Sequence, residues 1–181
     1  MSLFRNLSIA ALCLGLAGVA GAQKHNHQHA HVHGQMELTV AVDGPRLVIE
    51  LASPLDSIVG FERAPKNDAE KKTVESALAK LRAADQLFAI DPAARCKAGD
   101  VDLRSAALGV GKAEPEAQAG HADLDATFTF ECGDAAAARY IDVALFTAFK
   151  GARQIDAQIA TSQGQFKRNL KRPTARLAWG K

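Results

Sequence analysis

Alternation of apolar and polar side chains, in short runs separated by turn residues, narrows the possible folds more than any other feature. Met36-Glu37-Leu38-Thr39-Val40-Ala41-Val42 puts Met36, Leu38, Val40 and Val42 on one side, as a strand with one buried face requires. Asp43-Gly44-Pro45 reads as a turn, and residues 46–51 as a second strand with Leu47, Ile49 and Leu51 inward, so a hairpin is expected. Residues 124–132 alternate in the same way, with Phe128, Phe130 and Cys132 on one side. Residues 155–161 and 175–179 read as further strands, 101–110 as a strand with poorer alternation, and 139–149 as a strand followed by a helical turn. Residues 53–65, broken by Pro54, Gly60 and Pro65, read as irregular. Asn67 followed by Glu70 is a capping-box signature. Val74, Ala77, Leu78, Leu81 and Ala84 then recur at helical spacing, opposite a face carrying Glu70, Lys71, Lys72, Glu75, Lys80 and Arg82. The fold class expected is α+β: a mainly antiparallel sheet with one long amphipathic helix, in a single domain over residues 35–181.

The first 22 residues read as an export signal. Arg5 supplies the positive end, residues 7–19 an almost wholly apolar stretch, and Ala20-Gly21-Ala22 a small-residue cleavage site, so the mature chain is expected to begin at Gln23. The apolar run falls short of the roughly 20 residues needed for a span. Cys13 lies inside it, after Leu12 rather than after a small residue, so neither a transmembrane nor a lipid anchor is expected. With 22 basic and 20 acidic residues interspersed, and no basic block, nucleic acid is not an expected partner.

Removal of the signal leaves two cysteines, Cys96 and Cys132. In an oxidising compartment such a pair reads as one disulfide, which stabilises by about 4 kcal/mol on chain-entropy grounds. A two-thiolate metal site is the alternative, disfavoured because no second close-spaced cysteine pair exists.

The strongest chemical signal is a ladder of imidazoles. His25, His27, His29, His31 and His33 occupy alternate positions in 23–34, and His121 is the one histidine elsewhere. In extended chain, same-face side chains lie roughly 6.5–7 Å apart, so a slight bend lets several imidazoles converge on one ion. Zinc takes nitrogen at about 2.0–2.1 Å in a tetrahedral set, and five candidates supply three or four ligands in several combinations. The segment has too little apolar surface to pack, so it reads as a flexible metal-binding arm preceding the domain. Imidazole also suits nickel and copper. Because the ligand form is neutral, occupancy is expected to fall below about pH 6. A second constellation, His121 with Asp123 and Asp125, shares one parity opposite to Phe128 and Phe130 and offers one nitrogen and two carboxylates to a metal. A solvated strand edge is its plainer reading. No His-Glu-x-x-His helix or Gly-x-Ser-x-Gly elbow is present, so no enzyme is expected, and Glu62 reads as a structural loop carboxylate.

The ladder ending in His31-Val32-His33-Gly34, together with Ser53-Pro54-Leu55 and Gly60-Phe61-Glu62-Arg63-Ala64-Pro65, resembles the ZrgA-like family of zinc-regulated periplasmic proteins. His121-Ala122-Asp123, Phe130-Glu131-Cys132 and Leu145-Phe146-Thr147-Ala148-Phe149 are similar to that family too, so the resemblance covers most of the mature chain. It implies a periplasmic protein that binds zinc and supports its uptake or delivery to a transporter or that transporter's binding protein. It also implies metal roles for the five ladder histidines and for His121. A nickel or copper protein is the alternative. Family members often carry a second His/Asp-rich loop in mid-chain. Residues 112–120 here contain no histidine, which shifts the weight to the N-terminal arm.

Overall fold

A computed structural model describes residues 32–112 and 122–180. The expected signal segment, the arm histidines His25, His27, His29 and His31, and His121 therefore lie outside the described residues. In chain order the elements are β1 (Gln35–Asp43), β2 (Arg46–Pro54), α1 (Leu55–Val59), α2 (Asp68–Arg82), α3 (Ala84–Leu87), β3 (Phe88–Ile90), β4 (Cys96–Arg104), β5 (Asp123–Cys132), β6 (Tyr140–Val143), α4 (Leu145–Ala148), β7 (Gln154–Thr161), β8 (Gly164–Lys171) and β9 (Arg176–Ala178). A six-stranded sheet runs β4-β5-β2-β1-β7-β8, and a three-stranded sheet runs β3-β6-β9.

The hairpin forms as the alternation predicts, with Val40 opposite Ile49 and Asp43 opposite Arg46. Its inward residues are buried except for the half-buried Val42, and β5 continues the same face, Ile49 standing opposite Phe128 and Leu47 opposite Phe130. Against this face pack α1 to α4 and the small sheet, contributing Leu55, Leu81, Phe88, Ile141, Leu145 and Leu177 to one connected core. Phe88 meets Phe128 edge-on at 4.9 Å between ring centres, a preferred aromatic geometry. Cys96 and Cys132 face each other across β4 and β5 and are joined as a disulfide, with Cys132 inward as its parity requires. The α2 helix begins at the predicted cap, where the Asn67 side chain accepts the Glu70 N–H at 2.9 Å. Its buried stripe is Val74, Ala77, Leu78 and Leu81.

Several expectations need correction. Residues 53–65 are not wholly irregular: β2 continues to Pro54, and one helical turn, α1, follows. Pro54 precedes that turn with φ −56°, and Gly60, at φ +88°, ends it in the left-handed region. Such a short helix shows no periodicity in sequence. The strand expected at 101–110 lies earlier, at Cys96–Arg104, and residues 105–110 close a turn in which Ser105 and Val110 exchange backbone hydrogen bonds. A register shift between Ala98 and Val101 breaks the alternation there, as a bulge does. Neither β3 nor β8 is announced by the sequence. In β8 only Leu170 is buried, because the strand is an edge, and edge strands carry charge where a half-buried strand would alternate.

Strand pairing is mainly antiparallel, as expected, with one parallel pair. β1 pairs with β7 in parallel, Leu38 opposite Ala157, while the other pairs in both sheets are antiparallel. A parallel pair needs a long crossover, which the chain between β1 and β7 provides. As a result the beginnings of β1 and β7 and the end of β2 meet at one end of the sheet, beside α1.

Candidate metal centre

At that end of the sheet the last rung of the histidine ladder is fixed to the folded body. Val32-His33-Gly34-Gln35 is a tight turn closed by the Gln35 N–H donating to the Val32 carbonyl at 2.9 Å. Gly34 sits at φ +84°, a conformation that glycine adopts without strain. The Gly34 carbonyl accepts from the N–H groups of Arg153, at 2.7 Å, and Gln154, at 3.0 Å. Its own N–H donates to the buried Ser57 hydroxyl at 3.0 Å. His33, one residue before Gly34, is thereby held between the start of β7 and α1.

Two carboxylates meet the imidazole there. Asp56, in α1, brings Oδ2 to 3.5 Å from His33 Nδ1, and Glu62, two residues past Gly60, brings Oε1 to 3.2 Å from His33 Nε2. The left-handed Gly60, whose N–H donates to the Asp56 carbonyl at 2.9 Å, turns the chain so that Glu62 returns alongside Asp56. One ligand atom from each of the three residues can be chosen so that all lie within 4.8 Å of one another, and this is the group of three such donors found among the described residues. Donors at about 2.0–2.1 Å from a tetrahedral ion stand about 3.3–3.4 Å apart. The two carboxylates approach different ring nitrogens of His33 and an ion takes one of them, so the set reaches that spacing when the imidazole turns and the donors draw in from separations of up to 4.8 Å. One nitrogen with two carboxylate oxygens is a donor set zinc accepts, and two carboxylates balance a divalent charge.

The neighbours of these ligands restrain them. Ser57 Oγ, while accepting from Gly34, donates to Asp56 Oδ1 at 3.1 Å, which leaves Oδ2 facing the imidazole. Behind α1, Gly151 comes so close that a Cβ there would lie 2.6 Å from the Ser57 carbonyl oxygen. Arg172 holds the loop carrying Gly151, donating to the carbonyls of Ala152 at 3.1 Å and Phe149 at 3.2 Å. On the Glu62 side, Arg63 donates to both carboxylate oxygens of Glu70, at 2.6 and 2.9 Å, and lies over the Phe61 ring. Glu70 also accepts the Lys66 N–H at 2.7 Å, one residue earlier than a reciprocal capping box with Asn67 would place it. The Arg63 guanidinium, with the Lys66 N–H, holds the Glu70 carboxyl down to about 2. Of these contacts, the Ser57 hydroxyl bond touches a candidate ligand, Asp56, directly, and such a hydrogen bond orients a metal ligand.

Of the residues singled out in the sequence, the structure brings His33 into this group. Asp123 and Asp125 lie at the start of β5, opposite Pro54 and Ala52, on the face away from Leu124 and Ala126, and are not part of it. In the sequence alone Asp56 does not stand out, and Glu62 reads only as a structural loop carboxylate. The signal available was Pro54 and Gly60 bracketing a single turn, with a carboxylate inside it and another just past its end. An open groove of about 420 Å³ on the outer face of β1, β7 and β8 is lined by Glu37, Asp156, Lys167 and side-chain amides, without imidazole or thiolate.

A family model for ZrgA family zinc uptake proteins matches residues 30–179. The chain belongs to the ZrgA family. That match spans the described body and the turn carrying His33, and this ZrgA-family chain is thus a member of a zinc uptake family with a zinc-compatible donor group at one end of its sheet. No curated protein matches the chain. No helix among the described residues is long and apolar enough to cross a membrane.

Proposed function

We propose that the mature chain is a non-enzymatic periplasmic protein that captures zinc and supports its uptake or its delivery to a transporter. The observation that carries this reading is the convergence of His33, Asp56 and Glu62 in a chain of a zinc uptake family. In this reading residues 1–22 direct export, and His25, His27, His29 and His31 catch ions on the arm. His33 is both the last rung of that ladder and the first ligand of the site on the folded body, so an ion on the arm is two residues from a preformed site. His121 with Asp123 and Asp125 is a secondary donor set. It is favoured by the Ala122 carbonyl, which accepts the Leu55 N–H at 2.8 Å and so ties the chain beside His121 to the chain beside Asp56.

Zinc titration of the chain beginning at Gln23, read by native mass spectrometry, tests the proposal. Replacing His25, His27, His29, His31 and His121 by Asn should lower the number of bound ions but leave one. Adding Asp56→Asn and Glu62→Gln should remove it. A last ion that survives both carboxylate substitutions refutes the site, and failure to hold zinc while copper or nickel is retained refutes the zinc reading.

A further inference from the structure

Zinc held by protein side chains takes four ligands, and a site with three protein ligands keeps its fourth position for an exchangeable one. The described residues bring three donors together. Their exposure is graded: the His33 side chain is 60% exposed, Asp56 23% and Glu62 12%. The carboxylates therefore form the floor, and the imidazole stands at the solvent edge. Asp56 has one oxygen engaged by the Ser57 hydroxyl, so it faces the ion with the other. Charge fixes the chemistry of the missing ligand. Two carboxylates already cancel the charge of a divalent ion, so a neutral donor completes the set without surplus negative charge, and among side chains zinc's neutral donor is imidazole.

We propose that the His33–Asp56–Glu62 site accepts an imidazole donor in its open position, forming a mixed complex through which zinc enters and leaves by ligand exchange. This rests on the reading that zinc binds those three residues. The zinc–donor bond forms as the bound water departs, with no change of oxidation state. The incoming imidazole comes either from the chain's other histidines or from another molecule.

Cobalt(II), whose visible spectrum reports its ligands, is the probe, with free imidazole as the donor. The chain used starts at Gln23 and has His25, His27, His29, His31 and His121 replaced by Asn, leaving His33 as its histidine. Imidazole should shift the cobalt spectrum saturably, one per ion. At ten times its own dissociation constant it should raise the apparent cobalt affinity about tenfold, whereas acetate at the same concentration should change neither. Cobalt bound but indifferent to imidazole overturns the inference while leaving the site intact, and an equal response to acetate overturns the choice of donor. Failure of this chain to bind cobalt, or binding unaffected by Asp56→Asn, refutes the site itself. With the unsubstituted chain, a spectrum already matching the imidazole-saturated form identifies the chain's own histidines as the donor, and one that still responds identifies an outside donor.

Discussion

Gly151→Ala tests how closely the candidate site depends on the packing behind it. The added methyl would lie 2.6 Å from the Ser57 carbonyl oxygen, 2.8 Å from Ser57 Cα and 2.9 Å from the Asp56 carbonyl oxygen. All three are backbone atoms, so no side chain can swing aside. Gly151 is not among the glycines at positive φ, so the penalty comes from contact rather than from torsion. Ordinary van der Waals contact for a Cβ begins near 3.4 Å, so α1 and the 149–152 loop must part by about 0.8 Å in a close-packed interior. Overpacking of this kind costs about 1–3 kcal/mol, a fall of roughly 2–12 °C in Tm for a chain of this size. Because α1 carries Asp56, and ligand sets need placement within about 0.5 Å, zinc affinity of the arm-substituted chain should drop about 10- to 100-fold, as for other losses of ligand support. Thermal unfolding without metal and zinc titration of the same protein check both halves. A lowered Tm with unchanged zinc affinity would show that the position of α1 does not set the site, and no change in either would refute the close approach.

Other consequences follow from the same contacts. The Glu70 carboxyl is depressed from 4.5 to about 2, so its pairing with Arg63 supports the fold fully above about pH 4.5 and ceases to do so as pH falls towards 2. The native chain should therefore be more stable than Glu70→Gln at neutral pH, with the two denaturation midpoints converging towards pH 2. Phe128 is fully buried against Phe88, so Phe128→Ala should lower the unfolding free energy in urea by about 3–5 kcal/mol. Replacing both Cys96 and Cys132 by Ser should cost about 2–5 kcal/mol, read in the same assay. Gly34→Ala places a side chain at φ +84° and a Cβ 3.0 Å from the Arg153 stem, and should weaken zinc binding by shifting the His33 turn.

The hairpin, β5, β7 and α2 were legible in the chain because each buries one face along a regular element. Period two or period 3.6 then appears directly in Leu38-Thr39-Val40, Phe128-Thr129-Phe130 or Val74-Ala77-Leu78. The edge strand β8 and the bulged β4 bury too little for a period to form, and α1 is too short to show one. The site was half legible. A histidine ladder signals metal chemistry by composition alone, whereas Asp56 and Glu62 are ordinary acidic residues until Gly60 folds them back on one another.

Local patterning thus settled that the hairpin, β5 and β7 are strands and α2 a helix, that Cys132 points inward, and that imidazoles crowd the N-terminal side of β1. Direction and neighbourhood were decided only by tertiary structure. Alternation is the same for a parallel and an antiparallel strand, so nothing in residues 154–161 states that β7 runs beside β1. That pairing clamps Gly34 between β7 and Ser57, and it brings one histidine of the ladder to the two carboxylates. A metal site of this kind is a matter of distances between segments far apart in the chain, and such distances are set when a shared core forms.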